Sequence, residues 1–120
     1  MPKKILAIDD DHTNLRLIES RLTKDGFEVF TATDGEEGLK AAVTNNPDLI
    51  ILDVEMPSMN GYTFMLEKAK RESIKKIPVV VLTSHKENQP IFEFKGARGY
   101  LMKPINFDQL YEKIKKLLPE

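Results

Sequence analysis

The chain lacks cysteine and has almost no net charge. The absence of cysteine excludes a disulfide scaffold, thiolate metal sites and thiol catalysis. Because 18 basic and 19 acidic side chains leave a net charge of -1, bulk charge does not call for nucleic acid or an anionic membrane as partner. No apolar run is long enough for a signal peptide or a membrane span. We therefore expect residues 1–120 to form one cytoplasmic domain that neither contacts nucleic acid directly nor inserts into a membrane.

A buried strand is predicted at the centre of the chain. Residues 49–52 form an uninterrupted apolar run, bounded by Pro47 and by the turn-rich segment 57–61. This pattern is typical of a strand that is buried on both faces of a parallel sheet. The run ends in Asp53, and a carboxylate at that position is costly unless a cation or a chemical role accounts for it.

Further strands and helices alternate with this central strand. Strands are predicted at 5–8, 27–32, 79–82 and 99–102, the second of them nearer an edge of the sheet. The first three helices have apolar residues at helical spacing, namely Leu15, Ile18 and Leu22, then Leu39, Ala42 and Val43, then Phe64, Met65 and Ala69. We expect Asp34 to cap the second helix and the third to have a solvated Lys/Arg/Glu face.

Two helices complete the predicted alternation. A short or irregular fourth helix is predicted between 85 and 96, where Pro90 interrupts the pattern. Asn106 and Gln109 resemble a capping box that opens the last helix, with Phe107, Leu110, Ile114, Leu117 and Leu118 facing inward. Five strand and helix pairs predict a doubly wound α/β fold with a parallel sheet between two helical layers.

Functional side chains are predicted at the carboxyl ends of four strands, where ligands bind in such sheets. They are Asp9 and Asp10, then Asp53, then Thr83 and Ser84, then Lys103. The crowded carboxylates repel one another unless a cation is present, and Mg²⁺ prefers such oxygen ligands. Asp11 is expected to be only a helix cap or its neighbour. A carboxylate nucleophile, a metal site, a cation and a hydroxyl donor are the groups required for phosphoryl transfer onto an aspartate.

The sequence resembles the response-regulator receiver domains of two-component signalling, typified by the single-domain chemotaxis regulators. The resemblance covers essentially the whole chain and rests on the motifs ILAIDDD, LIILDVEMPSMNGY, VVVLTS and GYLMKPI. It implies five parallel strands in the flavodoxin-like order 2-1-3-4-5 with five helices. It further implies a phosphorylation-dependent switch that is not an enzyme, although it assists its own Mg²⁺-dependent phosphorylation and dephosphorylation.

The resemblance also implies a role for each site residue. Asp53 would accept a phosphoryl group from a histidine kinase or a histidine phosphotransfer protein, and Lys103 would pair with that group. Mg²⁺ would be held by Asp53, Asp9, Asp10 and the backbone carbonyl of Glu55. Thr83 and Ser84 would bind the phosphoryl group, Thr83 and Tyr100 would form the switch pair, and the bond before Pro104 would be cis. The downstream protein target is unknown, and either a monomer or a phosphorylation-dependent dimer is expected.

Departures from the family pattern lie in two places. The span from Thr83 to Lys103 is about two residues shorter than is usual in the family, which puts the usual partner-binding face in doubt. Glu55 and His85 occupy rim positions that the family varies to tune phosphoryl lifetime, so the charge of Glu55 is hypothesised to alter dephosphorylation. The chain ends at Glu120, after the last helix, and on this reading no output domain is expected.

Three other readings stay open at this point. A magnesium-dependent phosphatase of the dehalogenase type also uses an aspartyl nucleophile, but the threonine expected after Glu55 is missing and no room remains for a cap. A flavodoxin-like nucleotide or flavin module would need a Gly-rich phosphate loop, which follows none of the strands. A degenerate receiver that only binds a partner would lack the acceptor, an acid or the lysine, and all of these are present.

Overall fold

The computed structural model describes residues 2–54, 61–84 and 96–118. Its strands are β1 (Lys4–Ile8), β2 (Glu28–Ala32), β3 (Leu49–Asp53), β4 (Val79–Thr83) and β5 (Gly99–Met102). Its helices are α1 (His12–Lys24), α2 (Gly35–Asn45), α3 (Gly61–Ala69) and α4 (Phe107–Leu117). The irregular fourth helix predicted around Pro90 lies outside the described residues.

The five strands form one parallel sheet in the order β2-β1-β3-β4-β5, which confirms the predicted doubly wound fold. β2 lies at an edge, as its partial alternation indicated. The register aligns the carboxyl ends of neighbouring strands, because Ile8 lies opposite Leu52 and Asp53 lies opposite Leu82. The residues that follow the central strands therefore reach one common rim of the sheet.

Two apolar cores cover the two faces of the sheet. One core joins alternate strand residues to α2 and α3, mainly through Leu39, Phe64 and Met65. The other joins the remaining strand residues to α1 and α4. Its helical contributors are Leu15, Ile18, Leu22, Leu110 and Ile114. The inward faces predicted for the first and last helices are thus confirmed, and the sheet lies between two helical layers.

Two side chains cap the amino ends of α2 and α4 at the positions that the sequence predicted. The Asp34 carboxylate accepts a hydrogen bond from the Glu37 backbone at the start of α2. Asn106 accepts one from the Gln109 backbone at 3.1 Å at the start of α4. Each cap satisfies a backbone N–H that has no partner within the first helical turn.

Three predictions about helix faces are wrong. Ala69, expected on the apolar face of α3, is exposed. Val43, expected on the apolar face of α2, is 49% exposed. Lys68, expected on a solvated face of α3, is only 6% exposed, and its Nζ donates to the Lys75 carbonyl at 2.9 Å. The long lysine side chain packs its methylene groups against the protein while its ammonium group bonds the turn that follows α3.

Candidate functional site

Asp53 and Lys103 form an ion pair at the carboxyl rim of the sheet. Asp53 ends β3 and is 1% exposed. The Lys103 Nζ lies 3.1 Å from Asp53 Oδ1, and the lysine side chain is 20% exposed. The backbone N–H of Lys103 donates to the Thr83 carbonyl at 2.8 Å, which fixes the end of β5 beside the end of β4. The Lys103–Pro104 peptide bond is cis.

Three carboxylates converge beside this pair. One oxygen from each of Asp9, Asp10 and Asp53 lies within 4.8 Å of the others. Asp9 and Asp53 are buried, whereas Asp10 is exposed at the mouth of the site. Oxygen ligands at this spacing suit a hard divalent cation such as Mg²⁺, which also accepts water and phosphate oxygens. The donor set therefore fits the metal that the sequence predicted.

Asp9 is oriented by two donors from the start of α1. The Asp11 backbone N–H donates to Asp9 Oδ1 at 2.9 Å, and the Asn14 side-chain amide donates to Asp9 Oδ2 at 3.4 Å. Asp11 is the N-cap of α1, as expected, and its carboxylate accepts from the backbone of Thr13 and Asn14. Sequence reasoning missed the role of Asn14. Its position three residues after the cap, in the first helical turn, was the available signal.

The hydroxyl candidates follow β4. Thr83 ends that strand and is fully buried, whereas Ser84 is exposed. Tyr100 pairs with Val81 in the β4–β5 register and packs, half-buried, against the core beneath α2 and α3. Because alternate residues of a strand share a face, Thr83 and Tyr100 lie on the same face of the sheet, two residues apart in register.

The start of α3 is built against the end of β3. A Cβ at Gly61 would lie 2.7 Å from the Cα of Val54, the residue after Asp53. The Gly61 N–H also donates to the Val54 carbonyl at 3.3 Å. Only glycine permits this approach, so Gly61 allows the start of α3 to pack against the end of β3, beside the acidic rim. Glu55 and His85, the two rim positions expected to tune phosphoryl lifetime, lie outside the described residues.

Comparison with known proteins agrees with this geometry. The family described as response regulator receiver domain matches residues 5–115. The alkaline phosphatase synthesis transcriptional regulatory protein PhoP of Bacillus subtilis is 36% identical over 120 residues, which are 98% of this chain and 49% of PhoP. Response regulator PleD of Caulobacter vibrioides is 36% identical over 119 residues, covering 98% of this chain and 26% of PleD. The chain thus spans about half, or less, of these curated relatives.

Two solved structures share this fold and cover 97–98% of the chain. Chemotaxis protein CheY4 of Vibrio cholerae superposes with a TM-score of 0.92 at 33% identity, covering 98% of this chain and all of CheY4. Response regulator TrrA of Thermotoga maritima, solved in complex with Mg(2+)-BeF, superposes with a TM-score of 0.86 at 38% identity over 97% of this chain and 99% of TrrA. Within the described part of the chain, no helix has both the length and the apolar character needed to span a bilayer. The chain therefore belongs to the response regulator receiver domains, the phosphorylation-dependent switches of two-component signalling.

Proposed function

We propose that Asp53 is the phosphoacceptor of this receiver domain. The observation that carries the proposal is the position of the Asp53 carboxylate, 3.1 Å from the Lys103 ammonium and within 4.8 Å of oxygens of Asp9 and Asp10. A carboxylate in that position has a fixed cation on one side and metal ligands on the other. Both reduce the repulsion that a nucleophilic carboxylate otherwise meets when it approaches a phosphoryl group.

The phosphoryl donor in this proposal is the phosphohistidine of a sensor histidine kinase or a histidine phosphotransfer protein. An Asp53 oxygen forms a bond to phosphorus, the phosphorus–nitrogen bond breaks, and the imidazole leaves and takes up a proton. The Asp9, Asp10 and Asp53 carboxylates and the Glu55 backbone carbonyl would hold Mg²⁺, which when bound neutralises charge on the transferring group. Lys103 holds an oxygen of the transferred group, and the hydroxyls of Thr83 and Ser84 donate to its other oxygens.

The switch in this proposal is the pair formed by Thr83 and Tyr100. The new aspartyl phosphate brings a charge near -2, so it draws the Thr83 hydroxyl toward a phosphoryl oxygen. Tyr100 shares the face of the sheet with Thr83 and turns into the space that Thr83 leaves. New charge-assisted hydrogen bonds exist only in the phosphorylated state, and they bias the domain toward its partner-binding conformation.

The remaining expectations belong to the same proposal. Residues 1–120 act as one cytoplasmic receiver unit that signals to a protein target rather than by direct contact with nucleic acid or by membrane insertion. The domain is a monomer or a phosphorylation-dependent dimer. It assists the hydrolysis of its own aspartyl phosphate without turning over other substrates. The membership of the chain in the receiver family supports these statements.

Intact-mass spectrometry after incubation with Mg²⁺ and acetyl phosphate tests the acceptor. We expect one labile phosphoryl adduct that Asp53→Asn abolishes, because the amide is not a nucleophile. Asp108→Asn, an exposed carboxylate in the first turn of α4, is the matched control and should retain the adduct. An adduct that survives Asp53→Asn would refute the assignment. Repeated turnover of phosphate esters would instead identify a magnesium-dependent phosphatase.

A further inference from the structure

A basic cavity lies at the end of the domain opposite the acidic rim. It is lined by residues at the end of α3, by the turn before β4 and by the residues before β5. The strands are parallel, so these segments meet at the amino ends of β4 and β5, whereas Asp53 and Lys103 meet at the carboxyl ends. The five residues of β4 separate the two places by about 16 Å at roughly 3.3 Å per residue.

Among the residues that the structure describes, the charged side chains that line this cavity are all cationic. They are Lys68, Lys75, Lys76 and Arg98, around a volume of about 410 Å³. Within the described ranges, Lys75 is paired with Glu72 at 2.8 Å, and no carboxylate lies at ion-pair distance from the other three cations. A chain with a net charge of -1 therefore concentrates in one concave place positive charge that no described carboxylate pairs.

Lys68 makes this cavity more than a cluster of surface lysines. The side chain is 6% exposed, and its Nζ donates one hydrogen bond of 2.9 Å to a described acceptor, the Lys75 carbonyl. An ammonium has three donors, so donor capacity remains toward the described part of the chain. Burial lowers the pKa of Lys68, because removal from water disfavours the charged form. An anion in the cavity would supply the missing countercharge and favour the ammonium again.

We propose that this cavity is a binding site for a small phosphate-bearing polyanion of the pyrophosphate type. Lysine ammonium groups bind phosphate oxygens as point charges, and the Arg98 guanidinium can bind two oxygens at once. A volume of about 410 Å³ lies within the range of small-molecule sites. A duplex or a membrane surface would reach the exposed Lys76 and Arg98 but not the buried Lys68, so the geometry favours a small ligand. This proposal is independent of phosphorylation at Asp53.

Isothermal titration calorimetry of the whole chain with pyrophosphate tests the site. The buffer contains EDTA, so that no divalent cation recruits the anion to the acidic rim, and its ionic strength is low. We expect one saturable site whose affinity falls as salt is added. Amide chemical shifts should change near Ala69, Ile77 and Gly96 and remain constant at the carboxyl rim.

Two variants that each remove one positive charge distinguish binding in the cavity from general electrostatic attraction of the anion to the protein. Lys68→Met should weaken binding about tenfold or more, the loss expected for one charge-assisted contact. Lys40→Met removes the same charge from an exposed position of α2 and should leave the dissociation constant within about twofold. If Lys68→Met does not fold, Arg98→Gln at an exposed position provides the same test.

Three results would overturn the proposal. The first is the absence of saturable pyrophosphate binding. The second is equal affinity in Lys68→Met and Lys40→Met, or in Arg98→Gln and Lys40→Met, which would reduce the effect to net charge. The third is binding of duplex DNA or anionic vesicles without binding of pyrophosphate, which would assign the basic surface to a macromolecule.

Discussion

Replacement of Lys103 by methionine is expected to destabilise the metal-free domain and to increase its response to Mg²⁺. Lys103 Nζ lies 3.1 Å from Asp53 Oδ1, beside the oxygens of Asp9 and Asp10. Among the described residues of the rim, these three carboxylates face the one cation that Lys103 supplies. In Lys103→Met the three carboxylates, two of which are buried, lose this countercharge and repel one another.

The magnitude follows from the distance and the burial of the pair. Unit charges 3.1 Å apart attract by about 5 kcal/mol at an effective dielectric constant of about 20. Removing one partner of a buried pair costs about 3–5 kcal/mol, and the 20% exposure of Lys103 favours the lower end of that range. We expect Lys103→Met to lower the free energy of unfolding in EDTA by about 3 kcal/mol, which corresponds to roughly 10 °C in the midpoint for a domain of this size.

Urea unfolding followed by circular dichroism, in EDTA and in Mg²⁺, measures this effect. Mg²⁺ replaces the lost positive charge, so it should stabilise the folded domain more in Lys103→Met than in the wild type. A metal at a hundredfold excess over its dissociation constant adds about 2.7 kcal/mol to the free energy of unfolding. The double variant with Asp53→Asn should recover stability, since the buried negative charge is then removed. Lys40→Met is the control for loss of an exposed lysine.

Two outcomes would refute this reasoning. The first is that, in EDTA, the free energies of unfolding of Lys103→Met and Lys40→Met differ by less than about 0.5 kcal/mol, the range for ordinary surface changes. The ion pair with Asp53 would then contribute as little as an exposed one. Alternatively, Mg²⁺ could stabilise Lys103→Met no more than the wild type. The metal would then bind away from the carboxylates that Lys103 faces.

Three further predictions concern the support of the rim and the last helix. Asn14→Ala removes the amide that donates to Asp9 Oδ2. Calorimetry should show Mg²⁺ binding that is about tenfold weaker, and an unchanged dissociation constant would contradict this role. Gly61→Ala places a methyl group against the Val54 backbone and should lower the free energy of unfolding in urea by about 2 kcal/mol. Wild-type stability would show that the backbone shifts to accommodate the methyl group. Burial and a hydrogen bond to Asp25 raise the pKa of Tyr111 above 10.0. Its contribution to stability is therefore present below pH 10.0 and declines as pH rises toward the folded-state pKa, so Tyr111→Phe should flatten that alkaline loss.

The convergence of the candidate residues at one rim was predictable, because it depends on topology rather than on fine packing. Once strand and helix alternate, right-handed crossovers bring the carboxyl ends of parallel strands to one rim. Asp9, Asp53 and Lys103 each follow or end a strand, so their approach follows from chain order. The contact of Asn14 with Asp9 was not predictable in this way, because it depends on the direction of one side chain in the first turn of α1.

Burial on the helices was less predictable. A helical stripe specifies which residues share a face but not how far the neighbouring layer extends over its edges. Val43 lies at such an edge on α2 and remains 49% exposed. Lys68 lies at such an edge on α3 and is covered, because the chain that follows α3 folds back and places the Lys75 carbonyl 2.9 Å from its Nζ.

By itself the sequence determined the order of strands and helices, the helix caps and the identity of the residues at the carboxyl rim, because periodicity and capping are local properties of the chain. Only the tertiary structure decided that Asp53 and Lys103 pair at 3.1 Å, that two donors orient Asp9, and that four cations surround one cavity at the opposite end. These arrangements arise where segments distant in sequence are packed together, and their energies depend on separations of a few ångströms and on exclusion of water.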